Sequence, residues 1–297
     1  MRNWFFASLF LPIAAFAQTK TRAVTAAPGT FVPSYSNSAL ATPTPAAVSQ
    51  AVATPTASFP IKISYFAEYQ GPALGYNSGL QETKNPGTPP EYAEIDHSLK
   101  ISYPVSKLVT VGTQFRGANY FDPSKSFSLS DQRFYSQWSH MMETPDVDIS
   151  GKLTVEIPTT SKSRTAGKLV TFKIGNNVEF KTPLRNWSFT FSTLIQTNFY
   201  NDPVSGGGKT DFIFGVFPYV TVDLFPNIQL LFEGSFDFNH NYNAAFYDYI
   251  PGDPNYIDLG PIFTIGPHIN TNIALREYTG DFTVQGLTLY ANIGVAL

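Results

Sequence analysis

Apolar and polar residues alternate over short segments from about residue 59 to the end of the chain. In the last eleven residues every odd position from Leu287 to Leu297 is apolar, whereas Tyr290 and Asn292 lie between them. A period of two is that of a β-strand with one apolar and one more polar face. An apolar strand left at an open sheet edge would aggregate in water. In a closed barrel this strand pairs with the first one and its apolar face meets lipid.

The alternation predicts an all-β fold: a closed antiparallel transmembrane β-barrel over residues 58–297. Twelve strands are predicted, and ten is the alternative number, because Arg276 and Glu277 interrupt the alternation of the eleventh segment. The twelve predicted strands lie near 59–70, 92–103, 107–117, 129–142, 147–158, 168–181, 186–200, 210–224, 227–239, 256–269, 272–279 and 286–297.

Short and long connections alternate between these segments. Proline stands at four short turns, where it fixes φ and ends a ladder; these are Pro104, Pro145, Pro183 and Pro226. Short turns at one end and long loops at the other are typical of outer-membrane barrels, with the short turns in the periplasm. An even strand count then places both termini in the periplasm. Four aromatic residues beside the short turns predict an interfacial girdle: Tyr103, Phe180, Trp187 and Phe225.

The alternating terminal strand, following an N-terminal segment that looks like a secretory signal, resembles the Gram-negative outer-membrane β-barrel proteins. The resemblance covers residues 59–297 at the level of pattern. It implies that the barrel-insertion machinery recognises the last strand during assembly. The usual terminal residue in that family is Phe, and here it is Leu297. The resemblance identifies an architecture of the porin or channel type and no particular subfamily.

The first 57 residues have a different composition. Residues 1–17 combine Arg2, an apolar run and a small-x-small sequence at Ala15–Ala17, which predicts a signal peptide. Residues 18–57 are rich in Ala, Thr and Pro and hold few large apolar residues. We predict that they form a disordered periplasmic tail.

Composition supports a barrel over a bundle of helices. Charged residues make up 14% of the chain and aromatic residues 15%. The mean hydropathy of -0.08 is too low for a helical membrane protein. Cysteine is absent, which excludes disulfides and thiolate sites, and a net charge of -3 gives no indication of nucleic-acid binding. The sequence points to no cofactor, and it leaves the oligomeric state unknown.

Charged residues on the inward parity of the strands are the candidate pore lining, because lipid excludes charge at mid-bilayer. They are Lys62, Glu68, Glu94, Asp96, Lys100, Arg116, Arg133, Lys152, Glu156, Lys173, Glu179, Asp223, Glu233 and Asp237. The signs are mixed, so these side chains either line a hydrated pore or pair across the lumen and close it. We expect strands three to five to make a positive wall beside a negative one, which would orient dipolar solutes.

Other features give weaker indications. Tyr135, Tyr219 and Tyr290 fall on the inward parity, where they either stack against solute rings or fill space. His97 and His140 fall on the outward parity, and Ser139 beside His140 is the sole hint of a lipid hydrolase. No catalytic residues are assigned, and the protein is not expected to be an enzyme.

Two loops carry concentrated charge. The basic run contains Lys162, Arg164 and Lys168, which are candidates for binding lipopolysaccharide phosphates, although a merely solvated loop is equally consistent. Asp248, Asp253 and Asp258 are predicted to form a solvated acidic loop, since their spacing is not that of a Ca²⁺ loop. No metal site is predicted.

Together these patterns predict an integral outer-membrane barrel that acts as a passive diffusion channel for small polar solutes. The alternatives are a non-conducting structural or surface-interaction barrel and, less favoured, an outer-membrane lipid hydrolase. The expected partners are outer-membrane lipid, lipopolysaccharide, the insertion machinery and small polar solutes.

Overall fold

The computed structural model describes residues 61–73, 93–121, 127–181, 184, 186–202, 209–245, 248–251, 255–278 and 287–296. The predicted signal peptide and the tail at 18–57 lie outside these ranges, as do Asp253, most of the 71–91 loop and Leu297.

Twelve long strands form one antiparallel sheet, as the alternation predicted. They are β1 (Lys62–Ala73), β2 (Glu94–Pro104), β3 (Val109–Tyr120), β4 (Gln132–Glu143), β5 (Val147–Ile157), β6 (Lys168–Phe180), β7 (Trp187–Tyr200), β8 (Thr210–Phe225), β9 (Ile228–Asn241), β10 (Tyr256–Ile265), β11 (Ile269–Tyr278) and β12 (Thr288–Ala296). Two-residue pieces at Ser128–Leu129 and Ile250–Pro251 pair with β3 and β9.

The sheet closes on itself. Each strand pairs with its neighbours in sequence, and β1 pairs with β12 through the register Ser64↔Ala296 to Gln70↔Tyr290. Closure removes the free edges that an open sheet of this size would expose. The chain is therefore a closed twelve-stranded barrel, and the ten-strand alternative is wrong.

Five short turns lie at the same rim as the start of β1 and the end of β12, while the longer connections lie at the opposite rim. The turn between β10 and β11 was predicted near 270–271, but it lies at residues 266–268. Gly266 takes a φ of 62° there, a conformation that glycine adopts without steric cost. We call the two ends the short-turn rim and the long-loop rim.

The long-loop rim contains an element that was not predicted. Residues Ser161–Thr165 form a single helical turn, α1, in the connection between β5 and β6. Its N-cap is Thr160, whose hydroxyl oxygen accepts a hydrogen bond from the amide of Ser163. Within the described residues, no helix is long or apolar enough to span a membrane.

Burial alternates along the strands as the sequence predicted. The outward positions expose large apolar side chains, such as Phe134, Phe172, Phe232, Leu275 and Ile293. A soluble monomer rarely exposes so continuous an apolar surface. The inward positions carry most of the polar and charged side chains and are largely buried. Charged side chains that could contact a solute therefore lie in the interior of the barrel.

Candidate functional site: the interior of the barrel

The fourteen charged residues predicted to line a pore all lie on the inward side of the wall, at different heights. Two are exposed at the short-turn rim: Lys62 and Asp223. Others are half-buried toward the rims or beside neighbouring strands: Glu94, Asp96, Arg116, Glu179 and Asp237. The remaining seven are buried: Glu68, Lys100, Arg133, Lys152, Glu156, Lys173 and Glu233.

Cations are concentrated on one side of the interior. Five consecutive strands, β2 to β6, contribute cations to this side, and we call one from each strand the basic wall: Lys100, Arg116, Arg133, Lys152 and Lys173. The hydrogen-bonded register brings them close, because Gln114 lies directly opposite both Lys100 and Arg133. The Lys152 ammonium lies 4.6 Å from the centre of the Tyr135 ring.

Glu156 is the main counterion of the basic wall. One of its carboxylate oxygens lies 2.8 Å from Arg133 Nε and 3.2 Å from Lys173 Nζ, and the other lies 2.6 Å from Lys168 Nζ. Three cations therefore share one carboxylate. In the described part of the chain, neither Lys100 nor Lys152 forms a salt bridge, so positive charge on this wall exceeds the carboxylate charge that neutralises it.

The opposite side of the interior holds acids and one arginine that the sequence analysis missed. Asp258 was predicted to be in a solvated loop, but it lies in β10 with no exposed surface. Arg276, which was taken to interrupt β11, points inward and is 1% exposed. Its Nε and Nη2 each lie 2.8 Å from an oxygen of Asp258. Glu233 lies directly opposite Asp258 on β9 and is also fully buried.

Arg276 is held from several directions. Its guanidinium carbon lies 3.6 Å from the ring centre of Tyr256 and 4.1 Å from that of Tyr290. Its Nη1 donates to Gln70 Oε1 at 3.3 Å. Since Gln70 lies on β1 and Tyr290 on β12, this cluster ties together the seam where the first and last strands meet. We call it the Arg276 clasp.

The three tyrosines predicted to face inward do so. Tyr135 lies on the basic wall, Tyr290 belongs to the Arg276 clasp, and Tyr219 packs with Leu231 and Ile262 in a small apolar cluster. All three are buried. Their surroundings differ, so they do not form a continuous aromatic track.

At the long-loop rim, Asp131 organises the connection that carries α1. Its Oδ1 accepts hydrogen bonds from the amides of Thr159 and Thr160 at 3.1 and 3.0 Å. Its Oδ2 accepts one from the Ser163 hydroxyl and lies 3.5 Å from Lys168 Nζ. Burial would raise the pKa of Asp131, but these donors outweigh burial and hold the pKa below its usual range.

Lys168, one of the three candidates for lipopolysaccharide contact, is engaged by two carboxylates of the barrel. Its ammonium points toward Glu156 and Asp131, and only 14% of its side chain is exposed. The two carboxylates draw it away from the outer surface. Lys162 and Arg164, by contrast, are exposed on α1.

The two histidines predicted to face outward differ from each other. His97 faces outward and stacks on Tyr65, whose hydroxyl lies 2.7 Å from His97 Nδ1. His140 does not keep the outward parity, because the register of β4 shifts between Trp138 and Met142 and His140 has a φ of 51°. Its Nδ1 lies 2.6 Å from Asp148 Oδ2.

His140 and Asp148 also lie near Glu143, and one ligand atom of each falls within 4.8 Å of the others. This trio sits at the short-turn rim, where His140 and Glu143 are exposed. Glu143 already pairs with Lys181 at 3.0 Å. Sequence analysis missed this group, because a bulge in β4 brings His140 to it.

Comparisons with known proteins show the fold. No family model and no characterised protein matches the sequence. Among solved structures, an outer membrane channel from Pseudomonas putida F1 is 10% identical, covers 80% of this chain and 94% of its own, and superposes with a TM-score of 0.53. The NanC porin (9% identity, TM-score 0.49) and the KdgM porin in complex with disordered oligogalacturonate (7%, 0.45) each cover 79% of this chain and 98% of their own. The likeness to the Pseudomonas putida channel shows that this chain shares the closed β-barrel fold of that outer membrane channel.

Proposed function

We propose that this protein is a Gram-negative outer-membrane channel through which small polar solutes diffuse passively. The observation that carries the proposal is the unbalanced charge of the interior. Lys100 and Lys152 are 9% and 7% exposed, and among the described residues neither pairs with a carboxylate. A dry interior would make each such ion cost several kcal/mol. Water in the lumen removes that cost.

The arrangement of charge suits polar solutes better than ions of one sign. A strongly ion-selective pore carries a ring of like charges. Here the basic wall shares the interior with Glu68 on the neighbouring strand β1 and with Glu233 and Asp258 on the opposite side. A transverse field of this kind orients dipolar solutes as they pass. The low exposure of the lining side chains fits a narrow lumen.

The same proposal sets the orientation of the barrel. The short-turn rim, where β1 begins and β12 ends, faces the periplasm, as in barrels whose short turns are periplasmic. The long-loop rim then faces the cell exterior, where Lys162 and Arg164 are exposed on α1 and suited to lipopolysaccharide phosphates. The apolar outer surface contacts outer-membrane lipid.

Planar-bilayer recording of the purified protein tests the function. We expect discrete conductance steps, and we expect liposomes that contain the protein to swell with small polar solutes but not with a large oligosaccharide. A Lys100→Met/Lys152→Met variant should lose anion permeability. The control variant Lys181→Met changes a lysine of an exposed ion pair at the short-turn rim and should keep it. Absence of steps at every voltage would favour the non-conducting structural barrel.

A further inference from the structure

Three polar side chains form a row across the inner wall on β11, β12 and β1, beside the first strand of the basic wall. Asn272 of β11 lies directly opposite Asn292 of β12, and Asn292 lies directly opposite Glu68 of β1. Their exposures are 0%, 3% and 3%. We call Glu68, Asn292 and Asn272 the amide–acid row.

Each member of the row has a buried polar atom without a hydrogen-bond partner. These atoms are Glu68 Oε2, Asn292 Oδ1 and both side-chain atoms of Asn272. Leaving a buried polar group unsatisfied costs about 1–3 kcal/mol, and more when it is charged. Native proteins rarely keep such groups without a function or a bound partner. Three such residues in neighbouring positions therefore mark a place where a group from the lumen, water or solute, can bind.

The orientation of the central amide supports this inference. Asn292 Nδ2 donates to the hydroxyl of Tyr290 at 3.0 Å, so its Oδ1 is the atom left without a partner. Directly opposite residues have Cβ atoms roughly 4.5–5.5 Å apart. The side chains of Asn272 and Glu68 flank that of Asn292 at this Cβ spacing, so one group bound at Asn292 has all three side chains around it.

We propose that the amide–acid row binds the primary ammonium group of a solute, an inference that rests on the proposed channel function. An ammonium group has three N–H donors, which match the three unpartnered oxygens. Glu68 supplies the charge-assisted hydrogen bond, which is stronger than a neutral one. A hard metal ion such as Ca²⁺ takes six to eight oxygens, many more than the row offers.

The surroundings favour solutes that carry both charges. Asp96 lies directly opposite Glu68 and adds negative charge beside the row. The basic wall begins close by, since Arg116 on β3 lies opposite Ser98, two residues from Asp96. A zwitterion can place its ammonium on the row and its carboxylate toward Arg116. The chemical class is therefore primary amines and zwitterions built like amino acids.

The test compares cations of equal charge that differ in hydrogen-bond donors. The thermal unfolding midpoint of the full barrel in detergent is measured in methylammonium, tetramethylammonium and calcium chlorides at equal ionic strength. A ligand that binds only the folded state raises the midpoint. We expect methylammonium to raise it by a few degrees over tetramethylammonium, which has no N–H donor.

Variants locate the effect. Glu68→Gln, which keeps the shape of the side chain, should abolish the difference between the two salts, and Asn272→Ala should reduce it. Asp223→Asn removes the same charge at the exposed short-turn rim and should leave the difference intact. Because each variant is compared with itself in two salts, a change in its basal stability does not affect the result.

The proposal is overturned if methylammonium and tetramethylammonium act alike, if only calcium raises the midpoint, or if Glu68→Gln keeps the difference. Bilayer recording separates this result from the proposed function. A donor-specific shift without conductance would support the site and reject the channel, whereas conductance without a shift would reject the site and support the channel.

Discussion

Replacing Arg276 with methionine should destabilise the barrel more than any change at its charged rims. The guanidinium makes two hydrogen bonds to Asp258 and stacks between Tyr256 and Tyr290. Methionine keeps most of the side-chain volume but leaves Asp258 buried without a cation, directly opposite Glu233. The seam between β1 and β12 also loses the hydrogen bond from Arg276 to Gln70.

The magnitude follows from these contacts. Removing one partner of a buried ion pair costs about 3–5 kcal/mol. A cation stacked on a desolvated aromatic ring contributes up to about 2 kcal/mol, and here there are two rings. Because these contributions share one side chain they do not simply add, and we expect a loss of about 4–6 kcal/mol in the free energy of unfolding.

Urea unfolding in lipid vesicles, followed by tryptophan fluorescence, measures this loss. Trp138 and Trp187 lie on the outer surface and report the transfer from lipid to water. Lys181→Met is the matched control, because it breaks an exposed pair with Glu143. Such pairs contribute about 0–1 kcal/mol, so the control should unfold close to wild type.

A second substitution separates the charge effect from lost packing. Adding Asp258→Asn to Arg276→Met removes the uncompensated carboxylate and should restore part of the lost stability, about 1–3 kcal/mol. An Arg276→Met variant that unfolds within about 1 kcal/mol of wild type, as an exposed pair would, would refute the clasp. So would a double variant that is less stable than the single one.

Three further predictions follow from other parts of the barrel. The Arg116→Ala/Arg133→Ala variant should stay folded and should shift reversal potentials in a salt gradient toward cation preference, because two positive charges leave the basic wall. Unchanged reversal potentials would contradict the assignment of these arginines to the basic wall. Asp131→Asn should speed trypsin cleavage within α1, because the Asp131 carboxylate, whose pKa lies below its usual range, stabilises this loop above about pH 4 and loses that effect as pH falls. Equal cleavage rates for the variant and the wild type would contradict this prediction. Gly260→Ala should destabilise more than Gly151→Ala, by about 1–3 kcal/mol in urea unfolding, because its Cβ would meet backbone atoms at 2.1 and 2.5 Å, whereas that of Gly151 would meet the flexible Met141 side chain.

The strands were predictable because the barrel imposes a period of two wherever lipid meets the wall. Apolar residues at outward positions give this signal directly, and prolines mark several short turns. The turn at residues 266–268 was misplaced by a few residues, although Gly266 and Pro267 mark it in the sequence. α1 was missed because a single helical turn is too short to show a helical period.

The interior was only partly predictable, since parity gives direction but not pairing. Extending the alternation of Ile273 and Leu275 would have placed Arg276 inside, yet its charge was taken as a break in the strand. Asp258 was grouped with the acidic loop, although the strand predicted near 256–269 contains it. His140 could not be placed from parity, because it lies inside a bulge of β4 between Trp138 and Met142 that the sequence does not reveal. The amide–acid row depends on register between three strands, which the sequence alone does not fix.

The central claim is that the basic wall lines a hydrated space inside a lipid-embedded barrel. The chain contains no cysteine, so single cysteines report cleanly. We would measure labelling of Lys152→Cys and Leu153→Cys, in lipid vesicles, by a charged thiol reagent that does not cross membranes. The account predicts that Lys152→Cys is labelled and that its outward neighbour Leu153→Cys is not. Labelling of Leu153→Cys with no labelling of Lys152→Cys would contradict it.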